Sequence, residues 1–272
     1  MTGMRKSKII TVFSTASGVG KTFVAINMAA ELAKRGYSVC LIDLDLQFGD
    51  VCNYLKLSPA MTISNAYSAL INSPETFEVD LFLTNYSNED ISFSVLAPTK
   101  NLTEAYDIRA SVVKRIITDL NKFDYIICDT AKKLDKLTFT VLDLSDIITF
   151  MCIADFVPAI KNLKIGYDIL YGLDYDENKF RLIQNRSDSQ KIITTEDVED
   201  AMGRSFYHNL PNDYLSAKRS IESGCPLVLS DSSNALAESL KALIAKYIGN
   251  YVEPKEVEED TGFFASFMKL FK

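Results

Sequence analysis

Ile9-Ile10-Thr11-Val12-Phe13-Ser14 runs directly into Thr15-Ala16-Ser17-Gly18-Val19-Gly20-Lys21-Thr22, and this join decides the fold. The first six residues read as a short buried strand. From Lys21 onward Val24, Met28 and Leu32 recur at helical spacing, until Gly36 stops the helix behind Lys34 and Arg35. A strand, a glycine-bearing turn and a helix in that order make an anion cradle. Glycines let backbone amides approach phosphate oxygens, and the helix N-terminus adds positive potential. Lys21 would then reach the β and γ phosphates of a nucleotide, and the Thr22 hydroxyl would ligate magnesium. The expected phosphate-binding residues are Ser17, Gly18, Val19, Gly20, Lys21, Thr22 and Phe23. The generic pattern has Gly where this chain has Thr15, and the bland alternative is an ordinary strand-to-helix turn.

Outward from this join, short apolar runs alternate with helix-period segments, the mark of crossover units in a parallel sheet. Further strands are predicted at Ser38 to Asp43, Phe93 to Leu96, Tyr125 to Asp129, Ile147 to Ile153, Phe180 to Gln184 and Ser205 to His208. Helices fit Thr62 to Ile71, Ser111 to Asn121, Val157 to Tyr171, Thr195 to Met202 and Leu236 to Ile248. Most of these strands are apolar on both faces, as strands covered by helices on both sides must be. The expected fold is α/β, a P-loop NTPase-like, mostly parallel sheet with helices on both faces. Residues 1–250 are expected to form one domain, 251–261 an acidic linker and 262–272 an amphipathic terminal segment.

Two acidic strand ends are expected to join the phosphate loop in one crevice. Asp43 and Asp45 follow the second strand, and Asp129 closes Tyr125-Ile126-Ile127-Cys128-Asp129. Magnesium favours carboxylate and water oxygens, so Thr22, Asp43 and Asp129 form the expected metal set. Asp45 is placed to orient an attacking water, which makes Asp45 and Lys21 the catalytic candidates. The alternative is that such aspartates cap turns.

Composition narrows the rest. A net charge of -7 opposes a surface that neutralises many nucleic-acid phosphates, so nucleic acid is not an expected partner. Five cysteines without CxxC spacing read as buried free thiols. A single histidine, His208, excludes histidine triads and multi-histidine metal centres. No stretch approaches the ~20 apolar residues of a membrane span, so membrane contact is expected to be peripheral.

These motifs together resemble the deviant Walker ATPases of the ParA/MinD superfamily. The resemblance rests on the opening strand and loop, on Leu41-Ile42-Asp43-Leu44-Asp45-Leu46-Gln47-Phe48-Gly49-Asp50-Val51, on Phe123-Asp124-Tyr125, on Asn185-Arg186-Ser187 and on Leu210-Pro211-Asn212-Asp213-Tyr214. Leu44 to Asp50 is most similar to the CpaE/TadZ proteins of Tad-type pilus assembly. The resemblance implies ATP with Mg2+, an adenine site at Asn185, Pro211, Asn212 and Asp213, and an ATP-dependent homodimer with nucleotide between subunits. It further implies pilus or secretion assembly proteins as partners and a cytoplasmic location, peripheral on the inner face of the cell membrane. Many relatives carry a receiver-like domain before the ATPase, which is expected to be absent here because the first strand starts by Ile9.

The chain departs from the superfamily at its signature lysine, which falls on Ala16, at the first loop glycine, which falls on Ser17, and after Asp129, where Ala131-Lys132 replaces Pro-Pro. The missing charge leaves hydrolysis slow or absent, with Lys132 or Lys133 as candidate substitutes. In the terminal segment a helix would gather Phe263, Phe264, Phe267, Met268 and Phe271 on one side, the pattern of membrane contact or of docking on protein. Four functions therefore stand: an assembly ATPase for a surface machine, a partition or division-positioning ATPase, a nucleotide-binding scaffold without turnover, and a tyrosine kinase, for which only Tyr247 and Tyr251 lie near the C-terminus.

Overall fold

The computed structural model describes residues 7–249 apart from 90, 155–156, 174 and 189–192. In chain order the elements are β1 (Lys8–Phe13), α1 (Lys21–Lys34), β2 (Val39–Leu44), α2 (Val51–Tyr54), α3 (Ile63–Asn72), β3 (Thr84–Asn88) and β4 (Ile91–Leu96). Then come α4 (Leu102–Asp107), α5 (Ala110–Asp119), β5 (Tyr125–Thr130), α6 (Lys136–Leu144), β6 (Ile147–Ile153), α7 (Val157–Gly172) and β7 (Phe180–Asn185). The last are α8 (Thr195–Met202), β8 (His208–Leu210), α9 (Tyr214–Ser223), α10 (Leu227–Ser230) and α11 (Ala235–Ile248).

Among the described residues the strands form one sheet in the order β3-β4-β2-β5-β1-β6-β7-β8, parallel except for the β3–β4 hairpin. Strand residues alternate between faces, and both faces are apolar. Ile10, Val12, Leu41 and Ile127 meet α1 and α11 on one side. On the other, Ile9, Ile42 and Ile126 meet α3 and α5, while Ile148, Phe150 and Leu182 meet α7 and α8. The α/β expectation is borne out, with a parallel sheet covered on both faces.

The crossover from β1 to β2 runs through α1 on one face, and that from β5 to β6 runs through α6 on the other and passes over β1. This reversal opens a crevice at the carboxyl end of β1, the place where open α/β sheets take ligands.

The last predicted strand is misplaced: β8 is His208–Leu210, not Ser205 to His208. The Phe206 N–H donates to the Glu199 carboxylate at 2.7 Å, which ties the preceding residues to the turn leaving α8. The linker 251–261 and the terminal segment, with Phe263, Phe264, Phe267, Met268 and Phe271, lie outside the described residues. No described helix is long and apolar enough to cross a membrane.

Candidate functional site

The turn from Ser14 to Gly20 leaves the centre of the sheet and enters α1 at Lys21. Gly20, the N-cap of α1, has φ 92° and Gly18 has φ 69°, a left-handed backbone that favours glycine. Gly20 is doubly constrained, because a Cβ there would lie 2.7 Å from Asn185 Nδ2. Ser17 and Gly18 are exposed, while Val19 is buried and anchors the turn.

Behind the turn, the Thr22 hydroxyl donates to Asp129 Oδ2 at 2.6 Å. The other Asp129 oxygen is buried and has no hydrogen-bond partner among the described residues. Burial is the main reason the Asp129 carboxyl titrates at about 7, against the lowering effect of Thr22 and of the Lys21 ammonium. Lys21 is half-buried and forms no ion pair with a described residue. Burial lowers its pKa, while Asp129 and Asp45 pull it back up and Lys132 lowers it further. An unpaired cation, a hydroxyl and a half-satisfied carboxylate thus converge at the start of α1.

This donor set fits a hexahydrated-type cation such as magnesium, which binds through one or two protein oxygens, water and substrate phosphates. Among the described residues no cluster of three or more His, Cys, Asp or Glu forms an all-protein metal cage.

A family model described as an AAA domain matches residues 7–160, which contain the loop, Asp43 and Asp129. The septum site-determining protein MinD of Thermotoga maritima is 25% identical over 234 residues, 83% of this chain and 82% of that protein. Among solved structures, a ParA family ATPase from Chlorobium tepidum superposes with a TM-score of 0.79 at 19% identity, over 88% of this chain and 98% of that one. MinD of Pyrococcus horikoshii, solved with Mg-ADP, gives 0.74 at 17% identity, over 89% and 96%. The chain belongs to the ParA/MinD family of AAA domains.

In this ParA/MinD-family chain Asp43 is the penultimate residue of β2, in register with Asp129 near the carboxyl end of β5. It is fully buried inside β2, and its oxygens accept the backbone N–H groups of Asp45 and Val51, each at 3.1 Å. The approach is so close that a Cβ on Gly49 would sit 2.4 Å from Asp43 Oδ2. Burial and then the neighbouring Asp129 raise the Asp43 pKa well above the carboxylate range. Asp45 reaches the edge, half-buried, and accepts the Phe48 N–H at 3.2 Å.

Asn185 ends β7 against the phosphate loop, where its amide donates to the Val19 carbonyl at 2.9 Å and its oxygen accepts the Arg186 N–H at 3.0 Å. The Asn212 N–H donates to Asp188 Oδ1. Asp213 is the N-cap of α9, one oxygen on the Ser216 N–H and the other on Asn234 Nδ2. Its carboxylate is therefore engaged in holding a helix. Pro211 follows Leu210, which pairs with Asn185 across the β7–β8 ladder, so the turn does lie beside Asn185.

Ala16 is half-buried against the core and brings no charge. Lys133 donates to Gln47 Oε1 at 3.0 Å, linking the loops after β5 and β2, and Lys132 is exposed. A cleft of about 420 Å³ lies between the segments that follow β2, β4 and β5, lined by Asp45, Gln47, Tyr106, Arg109, Lys133 and Lys136 among others. Two contacts to the loop were not assigned from the sequence, although Arg186 stood in one of the quoted motifs. Arg186 reaches the Gly18 carbonyl at 3.2 Å, and Gly166 of α7 leaves the notch in which the Thr15 methyl sits, since a Cβ there would lie 2.2 Å from it.

Proposed function

We propose that this chain binds ATP with Mg2+ at the loop Ser17 to Phe23 and works as a nucleotide-controlled switch that positions or assembles a cell-surface machine. The observation that carries the reading is the Thr22–Asp129 pair with an open carboxylate oxygen beside unpaired Lys21. Lys21 and the loop amides would hold the phosphates, and Thr22 and Asp129 would hold the cation through its ligand shell. Magnesium so bound would neutralise phosphate charge. Asp43 stands beside Asp129 on the neighbouring strand and shapes the loop from Asp45 to Val51, leaving Asp45 at the edge to orient water. Asn185 and the Pro211 to Asp213 turn flank the adenine. Turnover is slow, because Ala16 supplies no cation for the charge that develops in phosphoryl transfer.

Large exposed side chains ring the same edge of the sheet, with Phe48 72%, Tyr106 78% and Tyr214 65% exposed, which supports a homodimer closed over nucleotide. The Leu44 to Asp50 motif favours pilus or secretion assembly proteins as partners, and the aromatic face of residues 262–272 favours peripheral contact with the inner face of the cell membrane. The partition or division-positioning reading is favoured by the MinD relative of Thermotoga maritima. Calorimetry of the full chain with ATP and Mg2+ should register binding that Lys21→Ala abolishes. Equal, absent heats for both proteins would sink the nucleotide reading. Loss of surface pili on deleting the gene, with chromosome segregation and septum placement intact, separates the two cellular roles.

A further inference from the structure

A phosphate loop works only if its N–H groups point inward. Each peptide plane carries its C=O opposite its N–H, so fixing a carbonyl outward fixes the next amide inward. The carbonyl of Gly18 shares a peptide plane with the Val19 N–H, and that of Val19 with the Gly20 N–H. In this chain both carbonyls are gripped from behind by consecutive residues of one strand end. Asn185 Nδ2 donates to the Val19 carbonyl at 2.9 Å, and an Arg186 Nη2 donates to that of Gly18 at 3.2 Å.

The grip is itself braced. Asn185 Oδ1 accepts the Arg186 N–H, and Arg186 adopts φ 56°, a left-handed backbone uncommon for a residue with a side chain. Asn185 is buried, and its amide lies so near the Gly20 Cα that no side chain fits between them. The Ser187 N–H, next in line, is fixed on the Leu210 carbonyl at 2.9 Å, which ties the turn to β8.

We propose that Asn185 and Arg186 are positioning residues that preset the phosphate loop, aiming the Val19 and Gly20 amides at the polyphosphate. Resting on the nucleotide reading, this gives Asn185 a duty toward the phosphates beyond any contact with the base. The part of the ligand so served is the polyphosphate, whatever base it carries. Inorganic tripolyphosphate is then a ligand in its own right.

The test is calorimetry with ATP, GTP and inorganic tripolyphosphate, each with Mg2+, on the wild-type chain, Asn185→Ala and Arg186→Gly. Glycine tolerates the left-handed turn and removes the side chain that carries the guanidinium. Asn185→Ala should weaken all three ligands by a common factor of about tenfold or more, since it leaves the buried Val19 carbonyl without a donor. Arg186→Gly should weaken all three by about threefold, its bond being nearer solvent. A loss confined to ATP, with GTP and tripolyphosphate unaffected, would show that Asn185 reads the base and would overturn the proposal. So would three unchanged affinities in a variant that melts with the wild type. Should Asn185→Ala fail to fold, Arg186→Gly decides by the same criterion. Wild-type protein that binds none of the three would remove the nucleotide reading and this proposal together.

Discussion

Asp43 and Asp129 stand opposite each other on neighbouring strands, in register, and both are buried. Asp43 spends both oxygens on the backbone N–H groups of Asp45 and Val51. Asp129 has one oxygen on the Thr22 hydroxyl and one with no partner among the described residues. A buried polar atom without a partner costs free energy that folding alone does not recover, so it persists where a ligand completes it. A satisfied carboxylate of the same type, one strand away, anchors a loop. Position in the sheet is shared, and hydrogen-bond accounting separates the two duties.

The largest effect expected from breaking this contrast is on stability. Asp43→Ala strands two buried N–H groups and should cost about 3 kcal/mol, even after the relief of repulsion with Asp129 is counted. Urea unfolding would measure it, and the surviving folded fraction should still bind nucleotide in a magnesium-dependent way. Asp129→Asn should do the reverse. It removes a buried charge beside another carboxylate, so the melting temperature should hold or rise, while ATP affinity in the presence of Mg2+ falls about 100-fold, roughly 2.7 kcal/mol. Affinity without Mg2+ should change little. If Asp43→Ala erased the magnesium dependence and spared stability, the contrast would be wrong.

How much of this could be read beforehand follows from what each residue leaves in the pattern. The central strands were legible because β2, β5 and β6 are buried along their whole length and read as mostly apolar runs. The phosphate loop was legible because its glycines, Lys21 and Thr22 are required by chemistry at fixed spacing. Strand β3 was not, because Tyr86 is the one buried residue in Thr84–Asn88, an edge strand with polar neighbours. Helix α6 was hidden by its β-branched Thr138, Thr140 and Val141, which tertiary packing overrides. In the site, the type and place of Asp129 were readable. That Asp43 holds the backbone N–H groups of Asp45 and Val51 was not, because it depends on Gly49 letting the backbone close over a carboxylate. Arg186 stood in a legible motif, but its contact with the loop was not legible, because its partner Gly18 lies 168 positions away.

The smallest effect concerns pH, and it has to be separated before the Asp129 proton can be read. Burial, reinforced by Lys246, lowers the His208 pKa to about 4, although its Nε2 lies 2.9 Å from the Ser239 carbonyl. An unfolded histidine titrates near ~6.5, so between that value and about 4 the unfolded chain holds a proton that the folded chain refuses. Stability from this group is therefore full above pH ~6.5 and is lost as pH falls toward 4, by about 2 kcal/mol after allowance for partial exposure. Asp129 acts with the opposite sign: its carboxyl takes a proton at about pH 7 in the folded state and only near 3.8 when unfolded, so acidification favours the fold. His208→Gln keeps an N–H for Ser239 and removes the titration. Denaturant melts at pH 7 and pH 4.5 should show wild type losing more stability than this variant, and combining it with Asp129→Asn should leave the acid gain of Asp43 and the remaining groups. Equal losses in wild type and His208→Gln would mean that the imidazole is solvated, and the acid slope would then belong to the carboxylates alone.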